Sequence, residues 1–142
     1  LNIDEIKKLR YHREPFLFIE QWTVIDKGKV GESYRTFEET EYFCQGHFPN
    51  KPIVPGVVIV EAMAQTAGVV VSDNLTKNND QSVLFMSINK AKFRKPVLPN
   101  YKIKFYVELI NNLKNVYKFM GKAFHNESLV AESEFSAMIK SK

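Results

Sequence analysis

A chain of 142 residues lies within the usual size of one domain and can bury about two-thirds of the surface that its unfolded form exposes. With 44% hydrophobic and 25% charged residues, and no Gly/Ser linker, repeat or low-complexity stretch, it excludes a disordered or fibrous chain, and a single domain over 1–142 is expected. The net charge of +4 favours acidic partners, but Lys and Arg are spread along the chain instead of gathered in a block, which argues against a nucleic-acid partner.

Leu1 to Arg10 mixes Asp4 and Glu5 with Lys7 and Lys8 in an amphipathic helical pattern, unlike the apolar centre of a secretion signal, so a cytoplasmic location is expected. From Phe16 to Ile25 runs an apolar stretch rich in strand formers, closed by the turn Lys27-Gly28-Lys29. A second strand is expected over Val30 to Glu39.

The loop Gln45-Gly46-His47-Phe48-Pro49 follows, punctuated by Gly and Pro. Cys44 is the single cysteine, so no intramolecular disulfide can form and a reducing compartment is the simplest home. His12, His47 and His125 lie far apart in sequence, and Cys44 with His47 makes one ligand pair, short of a zinc site, so no metal is expected.

Pro55 stands where a helix begins, because it lacks the N–H that would be orphaned there and already has a helical φ. From Val57 to Val71 the side chains are apolar almost all round, which predicts a helix to about Asn74 buried on every side. The run is shorter than the roughly 20 residues needed to cross a bilayer and carries an acid, so no membrane span is expected. Glu61 and Gln65, four residues apart, share one helical face as a polar stripe.

Strands are expected from Val83 to Phe93, over Tyr101 to Leu109, over Val116 to Phe124, and at the C-terminal end, where Ala131, Ser133, Phe135, Ala137 and Ile139 share a face. Asn111-Asn112 and Asn126-Glu127-Ser128 mark turns between the last three, which form an antiparallel meander. The implied architecture is α+β, with an antiparallel sheet wrapped around one long central helix.

Glu61 has two readings from the residues alone: a buried acid satisfied by neighbouring N–H groups, or a reactive carboxyl. His47 likewise is a solvated loop histidine or a base. The start of the helix collects unpaired N–H groups and partial positive charge, and Gly56 allows close approach to the main chain. Imidazole, carboxyl and helix end together suit proton removal beside a carbonyl followed by loss of a β-hydroxyl.

The run Gly46-His47-Phe48-Pro49-Asn50-Lys51-Pro52-Ile53-Val54-Pro55-Gly56-Val57, with Val60-Glu61-Ala62-Met63-Ala64-Gln65, resembles the signature of FabZ-type (3R)-hydroxyacyl-acyl carrier protein dehydratases. His12-Arg13-Glu14-Pro15-Phe16-Leu17 and Lys90-Ala91-Lys92-Phe93-Arg94-Lys95-Pro96-Val97-Leu98-Pro99 extend the likeness over most of the chain. The resemblance implies a hot-dog fold and dehydration of (3R)-3-hydroxyacyl-acyl carrier protein to the trans-2-enoyl form in type II fatty-acid synthesis, without a cofactor. It implies His47 as base, Glu61 as acid, Gly56 N–H on the thioester oxygen, Val57 and Phe48 lining the site, and Gln65 orienting Glu61. A glutamate at 61, where the related FabA-type dehydratase-isomerases carry an aspartate, favours plain dehydration.

The partner it implies is an acidic acyl carrier protein bearing acyl-phosphopantetheine, for which Lys92, Arg94 and Lys95 are candidate contacts. Homodimers are implied too, often assembled as a trimer of dimers, with His47 and Glu61 of one site drawn from different subunits. Asn100-Tyr101 departs from the family's usual Gly-Asp, and Glu39-Thr40-Glu41-Tyr42-Phe43-Cys44 from its Asn-Glu-Pro-Phe-Phe. Pocket depth is expected to depend on Phe48, Met63, Phe85 and Phe93. A dehydratase of a specialised lipid or polyene pathway, a hot-dog thioesterase and a non-catalytic acyl-carrier-binding module are the competing readings.

Overall fold

The computed structural model describes residues 19–38, 53–75 and 81–141. Strands β1 (Gln21–Asp26) and β2 (Val30–Thr36) form a hairpin around Lys27-Gly28-Lys29, and Gly28 takes the left-handed φ of 75° that the tight turn requires. Helix α1 (Gly56–Leu75) follows, then β3 (Gln81–Phe93), β4 (Lys102–Leu113), β5 (Val116–His125) and β6 (Ser128–Ser141). Among the described residues, all six strands join one sheet in the order β1-β2-β4-β5-β6-β3, and every pairing is antiparallel. This is the α+β, hot-dog arrangement that the sequence implies.

The alternation in β4 does what a period of two predicts. Ile103, Phe105 and Val107 are buried while Lys102, Lys104, Tyr106 and Glu108 face outward. Phe119 and Ala123 of β5 and Ala131, Phe135 and Ala137 of β6 continue the inner face, and α1 lies against it. Two glycines set the approach. A methyl group at Gly31 would lie 2.5 Å from Cγ2 of Val70, and one at Gly121 would lie 2.9 Å from Sδ of Met63. The Thr66 hydroxyl donates to the Ala62 carbonyl at 2.8 Å and accepts from Ser33 Oγ at 2.6 Å, so a polar pair joins helix to sheet inside the core.

Several boundaries differ from the sequence reading. The first strand begins at Gln21, with Ile19 buried just ahead of it, and the second ends at Thr36. The expected turn at Asn111-Asn112 is instead strand, paired with Lys118 and Tyr117. The reversal comes at Lys114-Asn115, where Lys114 has φ 58°, because a register shift after Leu109 carries β4 further before it turns. The helix is not buried on every side, since Val57 is 77% exposed and Glu61 and Ala64 are half-buried. Among the described residues no helix is long and apolar enough to cross a membrane.

Candidate functional site

The site begins with the backbone that sets the start of α1. The Val54 N–H donates to the Val97 carbonyl at 2.8 Å, which ties the approach to the helix onto the segment after β3. Arg94 N–H in turn donates to the Val130 carbonyl at 2.8 Å, fixing that segment to β6. The Pro55 carbonyl accepts from Val58 at 3.0 Å and Ile59 at 3.3 Å, so Pro55 is the capping residue and Gly56 the first helical one. The Gly56 and Val57 N–H groups therefore belong to the first turn, where a helix has no acceptor of its own to offer and the dipole leaves partial positive charge.

Glu61 lies just over one turn further on. Gln65 is fully buried beneath it, and its Nε2 donates to Glu61 Oε1 at 3.3 Å. The two form the polar stripe that their spacing predicts. Glu61 faces a cleft of about 890 Å³, in which it is the one acidic side chain among the described residues. Ile53, Val60, Ile88, Phe93, Val97 and Val130 give the cleft apolar walls, and Gly56 and Val57 of the first turn of α1 line it too. Arg94 and Lys95 also line it and are exposed, which brings positive charge to its solvent-facing side.

Such a cleft can hold an acyl chain against its walls, polarise a carbonyl at the helix end and present a carboxyl to a group two carbons away. The structure thus brings Glu61, Gly56 and Val57 together, with Gln65 behind Glu61. His47 and Phe48 lie outside the described residues. The basic candidates divide. Arg94 and Lys95 border the cleft, whereas Lys92 lies in a separate groove with Lys90, Lys122, Glu132 and Glu134, on the outer face of the sheet.

Arg94 is also not a free cation, because its Nε donates to Glu132 Oε2 at 3.1 Å. That hydrogen bond holds the Glu132 carboxyl below the usual carboxylate range, with a smaller opposing effect of burial and further help from Arg94, Lys92 and Lys122. Met63, read from sequence as a determinant of pocket depth, is fully buried against Gly121 and is not a cleft wall, while the Phe85 side chain lies outside the described residues. Sequence reasoning missed Ile88 and Val130 as walls. Ile88 alternates with Ser87 and Asn89 as a core residue does, and Val130 sits in the apolar run Leu129-Val130-Ala131, so the pattern alone could not separate cleft from core.

The FabA-like domain family matches residues 11–134. Relatives named 3-hydroxyacyl-[acyl-carrier-protein] dehydratase FabZ include that of a Nitratiruptor species, 40% identical, with 100% of this chain and 99% of the relative covered. That of a Sulfurovum species is 42% identical, covering 99% of this chain and 98% of the relative. Among solved structures, a chain of the dehydratase heterocomplex ApeI:P from Xenorhabdus doucetiae is similar with a TM-score of 0.83, covering 96% of this chain and 91% of that one, at 14% identity, a likeness of fold. By the family match and by full-length identity to these relatives, the chain belongs to the FabA-like family, among the FabZ 3-hydroxyacyl-[acyl-carrier-protein] dehydratases.

Proposed function

We propose that this chain, as one domain, removes water from (3R)-3-hydroxyacyl-acyl carrier protein to give the trans-2-enoyl thioester of type II fatty-acid synthesis, in the cytoplasm. The observation that carries the reading is Glu61, backed by Gln65 and set in an apolar cleft that the first turn of α1 helps to line. His47 takes a proton from the carbon next to the thioester carbonyl, and the electron pair moves onto the carbonyl oxygen, which the Gly56 N–H stabilises. As the double bond forms, the C–O bond of the β-hydroxyl breaks and Glu61 supplies the proton with which it leaves as water. A proton returned from His47 to Glu61 through water restores both groups.

Val57 and Phe48 line the substrate path in this reading. Arg94 and Lys95 on the solvent-facing side, with Lys92 on the adjoining outer face, receive the phosphopantetheine and acidic surface of the carrier protein. Homodimers are the working unit, arranged as a trimer of dimers where assembly goes further. Support comes from β3, which is outermost in the sheet and holds the exposed apolar side chains Met86 and Ile88, a strand edge that a second copy can cover.

The purified protein is expected to convert 3-hydroxyacyl thioesters to enoyl thioesters, read as a gain in enoyl absorbance, without releasing free thiol. Thiol release without enoyl product overturns the reading in favour of a thioesterase. His47→Ala and Glu61→Gln are each expected to cut turnover by at least about a hundredfold while the fold is kept. Normal rates in both variants would sink the assignment.

A further inference from the structure

Phe93 is the last residue of β3, and its side chain is 54% exposed, an unusual position for a phenylalanine that borders an apolar cleft. The far edge of its ring points at the start of α1. A methyl group at Gly56 would lie 2.7 Å from Cζ, 2.8 Å from Cε1 and 3.1 Å from Cε2. Carbon atoms in contact settle at about 3.5–4.0 Å, so the ring already fills the space over the first turn. Gly56 has no left-handed backbone to explain it, since Gly28 is the one glycine with positive φ among the described residues. A side chain there would have to displace the ring.

We propose that Phe93 is a gate over the first turn of α1, one that admits straight-chain acyl thioesters and refuses those with a substituent on the carbon next to the carbonyl. The inference rests on the dehydratase reading, which docks the thioester oxygen on the Gly56 N–H. A methyl group added on the protein side, at Gly56, meets the ring. A methyl group added on the substrate side, one bond from a carbonyl held at the same helix end, enters the same space.

The surroundings allow the ring to turn but not to leave. Its backbone is fixed, with Phe93 in register with Ala131 and the next N–H, that of Arg94, bonded to the Val130 carbonyl. Movement is therefore confined to the side-chain torsions. Ala91 and Ala131, which line the cleft beside Phe93, are small, so in this proposal the exposed ring swings aside for an unbranched chain. A substituted chain needs the space over the helix as well.

The test compares Phe93→Ala and Phe93→Leu with the native enzyme on 3-hydroxyacyl and 2-methyl-3-hydroxyacyl pantetheine thioesters of equal length, with kcat and KM measured separately. The expected result is a gain in kcat/KM for the branched relative to the straight substrate of at least about tenfold in Phe93→Ala, the lower end of what one methyl group is worth in an apolar pocket. Phe93→Leu falls between. Unchanged selectivity, or parallel loss on both substrates, overturns the gate. Failure of the native enzyme to form any enoyl product from the straight substrate overturns the dehydratase reading instead. A second measurement asks about the seat: Gly56→Ala should weaken substrate binding, and Phe93→Ala in the same chain should restore part of it. Strict additivity of the two changes also overturns the proposal.

Discussion

Gln65 is a long polar side chain fully removed from water, a placement that costs free energy unless its amide is satisfied. Its bond to Glu61 does that and at the same time fixes which way the carboxyl points. Replacing Gln65 with leucine keeps the volume but removes the donor, so the carboxyl loses its aim while the apolar walls that hold the acyl chain are untouched. The expected outcome is a fall in kcat of about two- to tenfold, the worth of one hydrogen bond, with KM little changed. Steady-state kinetics on a single thioester decides it, and a rise in KM at constant kcat would show that Gln65 serves substrate binding instead. Both residues were legible from the helical spacing of four. The seat of Phe93 on Gly56 was not, because the two residues are distant in sequence and only strand pairing and the Val54–Val97 bond bring them together.

At the scale of elements, the distance between α1 and the sheet is governed by Gly31 on β2 and Gly121 on β5. Their neighbours differ in how far they can yield. Val70 is branched at Cβ and restricted in χ1, and the indole of Trp22 stands 3.1 Å from the same point, so a methyl group at Gly31 has to push the helix away. Met63, facing Gly121 with its Sδ at 2.9 Å, has an unbranched thioether that can re-rotate, and the Phe135 ring and Met63 Cβ, at 3.1 and 3.3 Å, need yield only slightly. Gly31→Ala is therefore expected to destabilise by about 1–3 kcal/mol and Gly121→Ala by less, as measured by urea denaturation. Equal losses would mean that side-chain stiffness does not set the cost. The strands and the helix were legible because their periods are clean, as in Ile103, Phe105 and Val107. The turn after β4 was not, because the paired asparagines that signal a turn lie in a strand whose register had slipped, and the left-handed position falls to Lys114.

For the whole molecule, the shared-site reading makes a prediction that no single chain can satisfy. In that reading His47→Ala and Glu61→Gln are each expected to lose at least about a hundredfold in turnover alone, but random mixing of the two subunits makes half the dimers hybrid, and each hybrid retains one site with both native groups. Co-refolded protein is expected to recover about a quarter of native turnover, since one of two sites works in half of the dimers. No recovery, in samples whose mass shows hybrids, places both groups in one chain. The family was readable from motif residues across most of the sequence, and the proposal of a second chain comes from that resemblance alone, because a periodic pattern describes which face is apolar and never whose surface covers it. Met86 and Ile88 alternate like core residues and lie exposed on β3.

The position of β3 at the rim of the sheet has a consequence for biosynthesis. Its one partner strand among the described residues is β6, the last to be made, and Phe93 pairs with Ala131 near the start of that strand. A ribosome that has finished β3, β4 and β5 has produced a hairpin able to close locally, but the cleft still lacks Val130 and Ala131 and β3 has nothing to lie against. The earlier walls must wait in the nascent chain until translation passes residue 131, so an incomplete chain carries the helix and its carboxyl but no enclosed place for an acyl group.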